Sequence, residues 1–465
     1  MSSLQKSIMK SKLPPRVPRS SGIAKLAPFG SSRRKDYSPV SWKQYFERCV
    51  DVETEAGTFR VYLSPEPDHP SRPRIFTLHG GGYSGLSWSL FTEEITNMIH
   101  CQVVSMDIRG HGETKVKDPD DLSIETLVRD VEQVIQKLYD EEPPPIVLLG
   151  HSMGGAIAVR AAHSPVIEHY IHGIAVIDVV EGTAMESLAS MQGFLRGRPT
   201  HFKSIEHAIE WCIRSGQVRN LESAKVSMPS QILNVQTGKL AINEVDTYKK
   251  EDNPRAPEPT RHGPHANCIT EESDEESDTS EASEAKLART DSESEDTKLT
   301  RTNSTNSENE DNTKLPRLDS TSDDAEASNA KLARSDSTEK DQTGTFAVPN
   351  AVGDGASMKY KWRIELSRTE SHWEGWFGGL SSAFLHTRAP RLLLLASVDG
   401  LDRELTVGQM QGKFQMQVLT RCGHAVHEDT PGEVARVVAS FILRHRLTTA
   451  TENGEHMHLV SAPGC

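Results

Sequence analysis

The pentapeptide Gly150-His151-Ser152-Met153-Gly154 constrains this chain more than any other feature. An apolar run, residues 145–149 (Pro-Ile-Val-Leu-Leu), precedes it, and a small-residue stretch, 155–162 (Gly-Ala-Ile-Ala-Val-Arg-Ala-Ala), follows it. Strand, sharp turn and helix are the setting in which G-x-S-x-G lifts a serine hydroxyl above the edge of a sheet as a nucleophile. The turn forces the serine into a strained conformation, so its neighbours must be small. The Met153 N–H then opens a helix whose dipole favours negative charge.

Composition places one large folded unit around this turn. Residues 271–342 contain no Ile, Val, Phe, Tyr or Trp and only five Leu, with 22 Asp/Glu against 9 Lys/Arg. That excess of 13 negative charges is nearly the whole of the chain's −14. Such a segment cannot bury enough apolar surface to fold, so the acidity belongs to it and says nothing about the active site. The six cysteines (Cys49, Cys101, Cys212, Cys268, Cys422, Cys465) show no C-x-x-C and no framework spacing, which fits a reducing compartment. The first 35 residues are basic and Pro/Ser-rich, with no apolar core of a secretory signal. No stretch is apolar for long enough to span a bilayer. The expected location is the cytoplasm, with Arg33-Arg34-Lys35 a weak signal for the nucleus as well.

Periodicity predicts strands alternating with helices. Residues 46–63 read as two strands joined by a turn at 55–57, and 74–78 as a short buried strand ending in His79-Gly80-Gly81-Gly82. A helix over about 88–99, a strand over 102–107 and a helix over 121–139 follow, the last stopped by Pro143–Pro145. After the serine turn come strands at 174–177, 391–395 and 414–419 and a closing helix over 433–447. Repeated alternation of this kind means an α/β fold: a mostly parallel central sheet with helices on both faces. Residues 181–228 read as amphipathic helix without a strand, a cap over the active-site edge. The expected organisation is a disordered tail (1–35), a first core part (36–180), the helical cap (181–235), a disordered acidic insertion (236–357), a second core part (358–447) and a C-terminal tail (448–465).

An acyl-transfer serine needs a base within hydrogen-bond reach, and the base needs an orienting carboxylate. In this strand–helix order the partners follow as Ser, then Asp or Glu, then His. His424, after Gly423 and just past the last strand, is the expected base; His427 is its competitor, and the glycine favours His424 by allowing close approach. Strand ends offer Asp178, Asp399 and Asp402 as the acid, and spacing does not choose among them; the last two also suit a turn. The glycines after 74–78 supply a backbone donor for the oxyanion, Gly81, paired with Met153. Asp107, Arg109 and His111 read as a structural turn. No phosphate loop or metal-ligand set is present, so no cofactor and no metal are expected, and the basic tail lacks the aromatic interleaving of a nucleic-acid site.

With these residues in place the chain closely resembles the protein phosphatase methylesterase family, α/β-hydrolases that remove the methyl ester from the C-terminal leucine of the protein phosphatase 2A catalytic subunit. The motifs that carry the resemblance span nearly all of the folded part. They include residues 111–117 (His-Gly-Glu-Thr-Lys-Val-Lys), 150–159 (Gly-His-Ser-Met-Gly-Gly-Ala-Ile-Ala-Val) and 177–185 (Ile-Asp-Val-Val-Glu-Gly-Thr-Ala-Met). Residues 194–199 (Phe-Leu-Arg-Gly-Arg-Pro), 362–366 (Trp-Arg-Ile-Glu-Leu), 408–418 (Gly-Gln-Met-Gln-Gly-Lys-Phe-Gln-Met-Gln-Val), 422–429 (Cys-Gly-His-Ala-Val-His-Glu-Asp) and 463–465 (Pro-Gly-Cys) extend it. The resemblance implies an α/β-hydrolase fold and a serine esterase, with Ser152, Asp178 and His424 as its triad and the phosphatase 2A catalytic subunit as its partner. It departs from the family in the insertion, which is longer here and repetitive. Lys286-Leu287-Ala288-Arg289-Thr290-Asp291-Ser292 recurs in variant form at 298–304, 314–320 and 331–337. Each copy sets Arg three residues before Ser, a spacing that basophilic kinases use, so kinases are expected partners of this arm.

Overall fold

The computed structural model describes residues 35–140, 142–182, 184, 193, 195, 197–248, 358–397 and 401–456. Most of the expected tail 1–35, most of the insertion, Asp399 and the terminal 463–465 motif lie outside the described residues, as do parts of the 177–185 and 194–199 motifs.

The strands run in chain order β1 (Arg48–Glu53), β2 (Gly57–Leu63), β3 (Arg74–Leu78), β4 (Gln102–Met106), β5 (Lys115–Val116), β6 (Ile146–His151), β7 (Ile171–Ile177), β8 (His201–Phe202), β9 (Ile232–Asn234), β10 (Tyr360–Trp362), β11 (Arg391–Leu395) and β12 (Gln415–Val418). The main sheet has the order β1-β2-β4-β3-β6-β7-β11-β12, with β5 on β2. β1, β2 and β4 pair antiparallel, and every pairing from β4 to β12 is parallel. β6 therefore lies in the middle of the parallel part, between β3 and β7.

Continuous apolar runs form these inner strands because helices cover both faces. Successive side chains divide between two cores. Phe76, Leu148 and Leu393 pack on one face with Val131 and Ile135 of the helix Ile124–Tyr139. Ile75, Leu149 and Leu394 pack on the other with Ile95 of the helix Ser89–Met98 and Phe441 and Ile442 of the helix Pro431–Arg444. Each such side chain, wholly withdrawn from water, contributes about 1.5–3 kcal/mol.

The cap departs from the sequence expectation. It holds the helices Ile205–Ser215 and Leu221–Ser227, as amphipathic spacing suggests, but also a small antiparallel sheet in the order β8-β10-β9. The cap is thus not purely helical, and β10, from the start of the expected second core part, belongs to it. Strands of two or three residues carry no readable alternation; an aromatic cluster of Phe202, Trp211 and Trp362 with ring centroids 5.1–5.9 Å apart holds this sheet instead.

Two boundaries also move. Ordered chain continues past 236 through a 3-10 helix, Ala241–Thr247, because Leu240, Ile242 and Val245 enter the core. At the other end residues 448–456 are not a free tail: Thr448 Oγ1 donates to His100 O (2.6 Å), and Thr451 N–H donates to Met98 O (3.0 Å).

Candidate active site

The carboxyl ends of β3, β6, β7 and the loop after β12 meet at one edge of the sheet, where ligands bind in open α/β sheets. Ser152 directly follows β6 and precedes the helix Met153–Ala161, with φ 51° and ψ −120°, a strained conformation for a residue with a Cβ. Two glycines make the turn possible. A Cβ on Gly150 would lie 2.1 Å from Gly154 O, and one on Gly154 would lie 2.2 Å from Leu78 O. Ser152 N–H donates to Ile177 O at 3.0 Å, which ties the turn to the end of β7.

Asp178 follows β7 with φ 51°. Its Oδ1 accepts the Ala396 N–H at 3.0 Å, and its Oδ2 accepts from His424 Nδ1 at 2.8 Å. Burial pushes this carboxyl up, but the bonds from His424 and Ala396 outweigh that and hold it below the usual range. His424 shows the converse. Desolvation pulls the imidazole down, yet the Asp178 bond and charge, with Asp429, leave it raised. With Nδ1–H committed to Asp178, Nε2 is left with the lone pair, and the side chain keeps 55% of its surface exposed. Ser152 Oγ makes no hydrogen bond among the described residues, so the Asp178–His424 bond is formed while Ser152 and His424 are not joined.

Of the other candidates, Asp402 caps the helix Arg403–Met410, accepting the Leu405 N–H at 2.9 Å. His427 is fully buried; its Nε2 bonds to Ser87 Oγ (3.1 Å), and its ring packs 4.1 Å from that of Trp88. Gly81 and Gly82 lie under Leu366, whose carbons would be 3.7 and 2.7 Å from Cβ atoms placed there. The Gly82 N–H is taken by His111 Nε2 (2.9 Å), whereas among the described residues nothing takes the Gly81 N–H.

Comparison with known proteins places the sequence in a family. The model of the Alpha/beta hydrolase family matches residues 75–234 and 315–437. Protein phosphatase methylesterase 1 of Homo sapiens is 46% identical over 454 residues, covering 96% of each chain. The mouse protein of the same name is 45% identical over the same share, and the probable protein phosphatase methylesterase 1 of Caenorhabditis elegans 33% over 93% of this chain and 83% of its own. This chain belongs to the protein phosphatase methylesterase family.

Several residues that support this candidate site have contacts that their motifs do not reveal. His151, inside the pentapeptide, donates its Nε2–H to the backbone carbonyl of His424 at 2.8 Å, joining the serine turn to the histidine loop. Asp429 receives the N–H groups of Gly423 (2.7 Å) and Arg219 (2.6 Å), pinning that loop to the cap. His111, expected to be only structural, holds the glycine loop; its Nδ1–H goes to Arg109 O (2.8 Å), and burial lowers its pKa to about 4, so it stays a neutral acceptor. Arg109 in turn makes a bidentate pair with Asp130 at 2.7 Å, both almost fully buried. Most of these contacts join residues more than 20 positions apart in the chain, and spacing alone does not reveal them.

Proposed function

We propose that this esterase hydrolyses the methyl ester on the C-terminal leucine of the protein phosphatase 2A catalytic subunit, with Ser152, His424 and Asp178 as its triad. The observation that carries the reading is the Asp178–His424 bond at the same sheet edge as a serine in a strained strand-to-helix turn. A turn of the Ser152 side chain brings Oγ to His424 Nε2, which takes its proton as Oγ attacks the ester carbonyl. The N–H groups of Gly81 and Met153 receive the oxyanion. His424 returns the proton to the departing methoxide, which leaves as methanol. Water, deprotonated by the same nitrogen, then cleaves the acyl-enzyme and frees the carboxylate.

A methyl ester is small and unhindered, so selectivity has to come from docking a protein tail rather than from the chemistry. The cap and the Met/Gln-rich β12 are the surfaces we assign to that docking. That Ser152 and His424 are not joined favours a second reading, in which the chain also holds the phosphatase stoichiometrically without turnover. The arm at 249–357 is assigned to kinases, each phosphate adding about −1.5 to −2 charges. The cytoplasm, with access to the nucleus, is the proposed location; among the described residues no helix is long and apolar enough to cross a membrane.

The test is incubation with carboxymethylated phosphatase 2A catalytic subunit, following loss of one methyl by mass spectrometry, with Ser152→Ala alongside. Loss with the native chain alone establishes the activity and its nucleophile. Retention by both, with the complex intact, leaves the binding reading. Comparable turnover of simple esters would instead mark a broad small-ester hydrolase.

A further inference from the structure

Among the described residues Arg198 is a cation without a counter-ion. Among the described residues no hydrogen bond or ion pair reaches its guanidinium, and its Nε is shut off from water with no partner. The group lies over the face of Trp362, with Cζ 3.6 Å from the ring centroid. The Trp362 indole N–H donates to Pro199 O at 2.7 Å, so the platform and the arginine are fixed to each other through adjacent backbone. Burial without an opposing carboxylate pulls the Arg198 pKa down to about 10, with only Tyr83 and Cys212 acting against it. The two arginines buried most deeply elsewhere do not stand alone: Arg109 has Asp130 and Arg74 has Glu66. An unpaired charge in such surroundings is expensive, and it is relieved by any ligand that brings a carboxylate.

Its place in the fold says which ligand. Tyr83 is the next residue after the glycine loop; its ring packs edge-on against that of His151, 5.6 Å between centroids, and its phenol is the first electrostatic neighbour of Arg198. Four residues beyond Trp362, Leu366 covers Gly81 and Gly82. Arg198 and its platform are therefore linked to the surroundings of the glycine loop by Tyr83, which packs on His151, and by Leu366. A cation that neighbours the glycine loop through Tyr83 and Leu366, and does not itself touch the loop's glycines, suits a residue that precedes the ester in an extended peptide, at about 3.3 Å per residue.

We propose that Arg198, stacked on Trp362, is a specificity residue that pairs with an acidic side chain a few positions upstream of the esterified residue in the substrate's C-terminal tail. The inference rests on the reading above that the substrate is a protein C-terminus. A planar guanidinium held against an aromatic face presents two parallel N–H donors, the arrangement that matches a carboxylate in bidentate fashion.

The experiment uses the full chain and carboxymethylated phosphatase catalytic subunits whose tails carry a single Asp at each of the four positions before the terminal leucine in turn, or Asn there. For at least one position wild-type kcat/KM should be about tenfold or more higher with Asp than with Asn, mostly through KM, as expected of a charge-assisted pair. In Arg198→Gln that ratio should fall to about one, and Arg198→Lys should restore part of it. Unchanged circular dichroism and Tm verify that the variants fold. Tail binding is measured in parallel on a Ser152→Ala background. An Asp/Asn ratio that survives in Arg198→Gln, or no Asp preference at any position in rate or binding, overturns the proposal. Binding that keeps the Arg198-dependent Asp preference while no methyl is lost would uphold the anchor and sink the esterase reading alone.

Discussion

The main sheet and the cap sheet are assembled in opposite ways. In the main sheet, parallel strands of four to seven residues pair with neighbours along their whole length, and their side chains alternate between two apolar cores. In the cap, pairings of two or three residues join Phe202 to Tyr360 and Ile232 to Trp362, and aromatic packing replaces strand length. The difference separates two tasks. The main sheet fixes backbone positions for the serine turn, the Asp178 corner and the glycine loop. The cap is tied to the site by a few directed bonds, such as those of Asp429.

If the main sheet holds the chemistry, its substitutions should dominate. Asp178→Asn should lower the demethylation rate about 10⁴-fold. The His424 pKa is raised in the intact site, and the base works only when unprotonated, so the acid limb of kcat/KM should lie above its ordinary value of about 6.5. Removing the Asp178 charge should move that limb to lower pH, measurable as rate against pH.

Arg109→Ala leaves Asp130 buried and unpaired and should destabilise the fold by about 3–5 kcal/mol in urea unfolding. His111→Ala frees the Gly82 N–H and loosens the glycine loop; a fall in kcat of about tenfold to a hundredfold, with little change in KM, is expected from weakened oxyanion binding.

Cap contacts should matter less and differently. Glu428 is fully buried, bonds to Ser223 of the cap helix (2.7 Å), and has its pKa pushed up to about 8 by burial. Its folded pKa exceeds its unfolded value, so the folded chain holds a proton the unfolded one releases, and stability falls as pH rises from about 4.5 to 8. Glu428→Gln should flatten that dependence by up to about 1.4 kcal/mol per pH unit, read from urea melts at pH 6 and pH 8. Smallest of all, halving the acidic arm should stabilise the fold by only about 0.6 kcal/mol, since loop closure depends weakly on length.

Much of the main sheet was legible because long buried strands and amphipathic helices have distinct periods; β3, β11 and the helix ending at Tyr139 fall where their apolar residues place them. Ser152 was legible because the turn demands glycines around it. Residue patterns alone left Asp178 level with Asp399 and Asp402, and only the resemblance chose it. The bond to His424 is a matter of tertiary distance, and Asp402 is drawn off by its helix cap. β8, β9 and β10 were invisible because each needs a partner far away in the chain to be a strand at all. His111 and His151 are silent for a similar reason: their bonds end on backbone atoms of other loops, which leave no mark in residue type.

β9 and β10 lie side by side, and the Val235 N–H donates to Lys359 O at 2.8 Å. Tyr248 and Lys359 even line one cavity of about 290 Å³. The chain therefore departs and returns at a single point. A backbone cut anywhere in 249–357 would produce two polypeptides already held together through β7 against β11 and β9 against β10. The molecule is in effect a natural split protein, whose halves, produced separately, should find each other and rebuild the site.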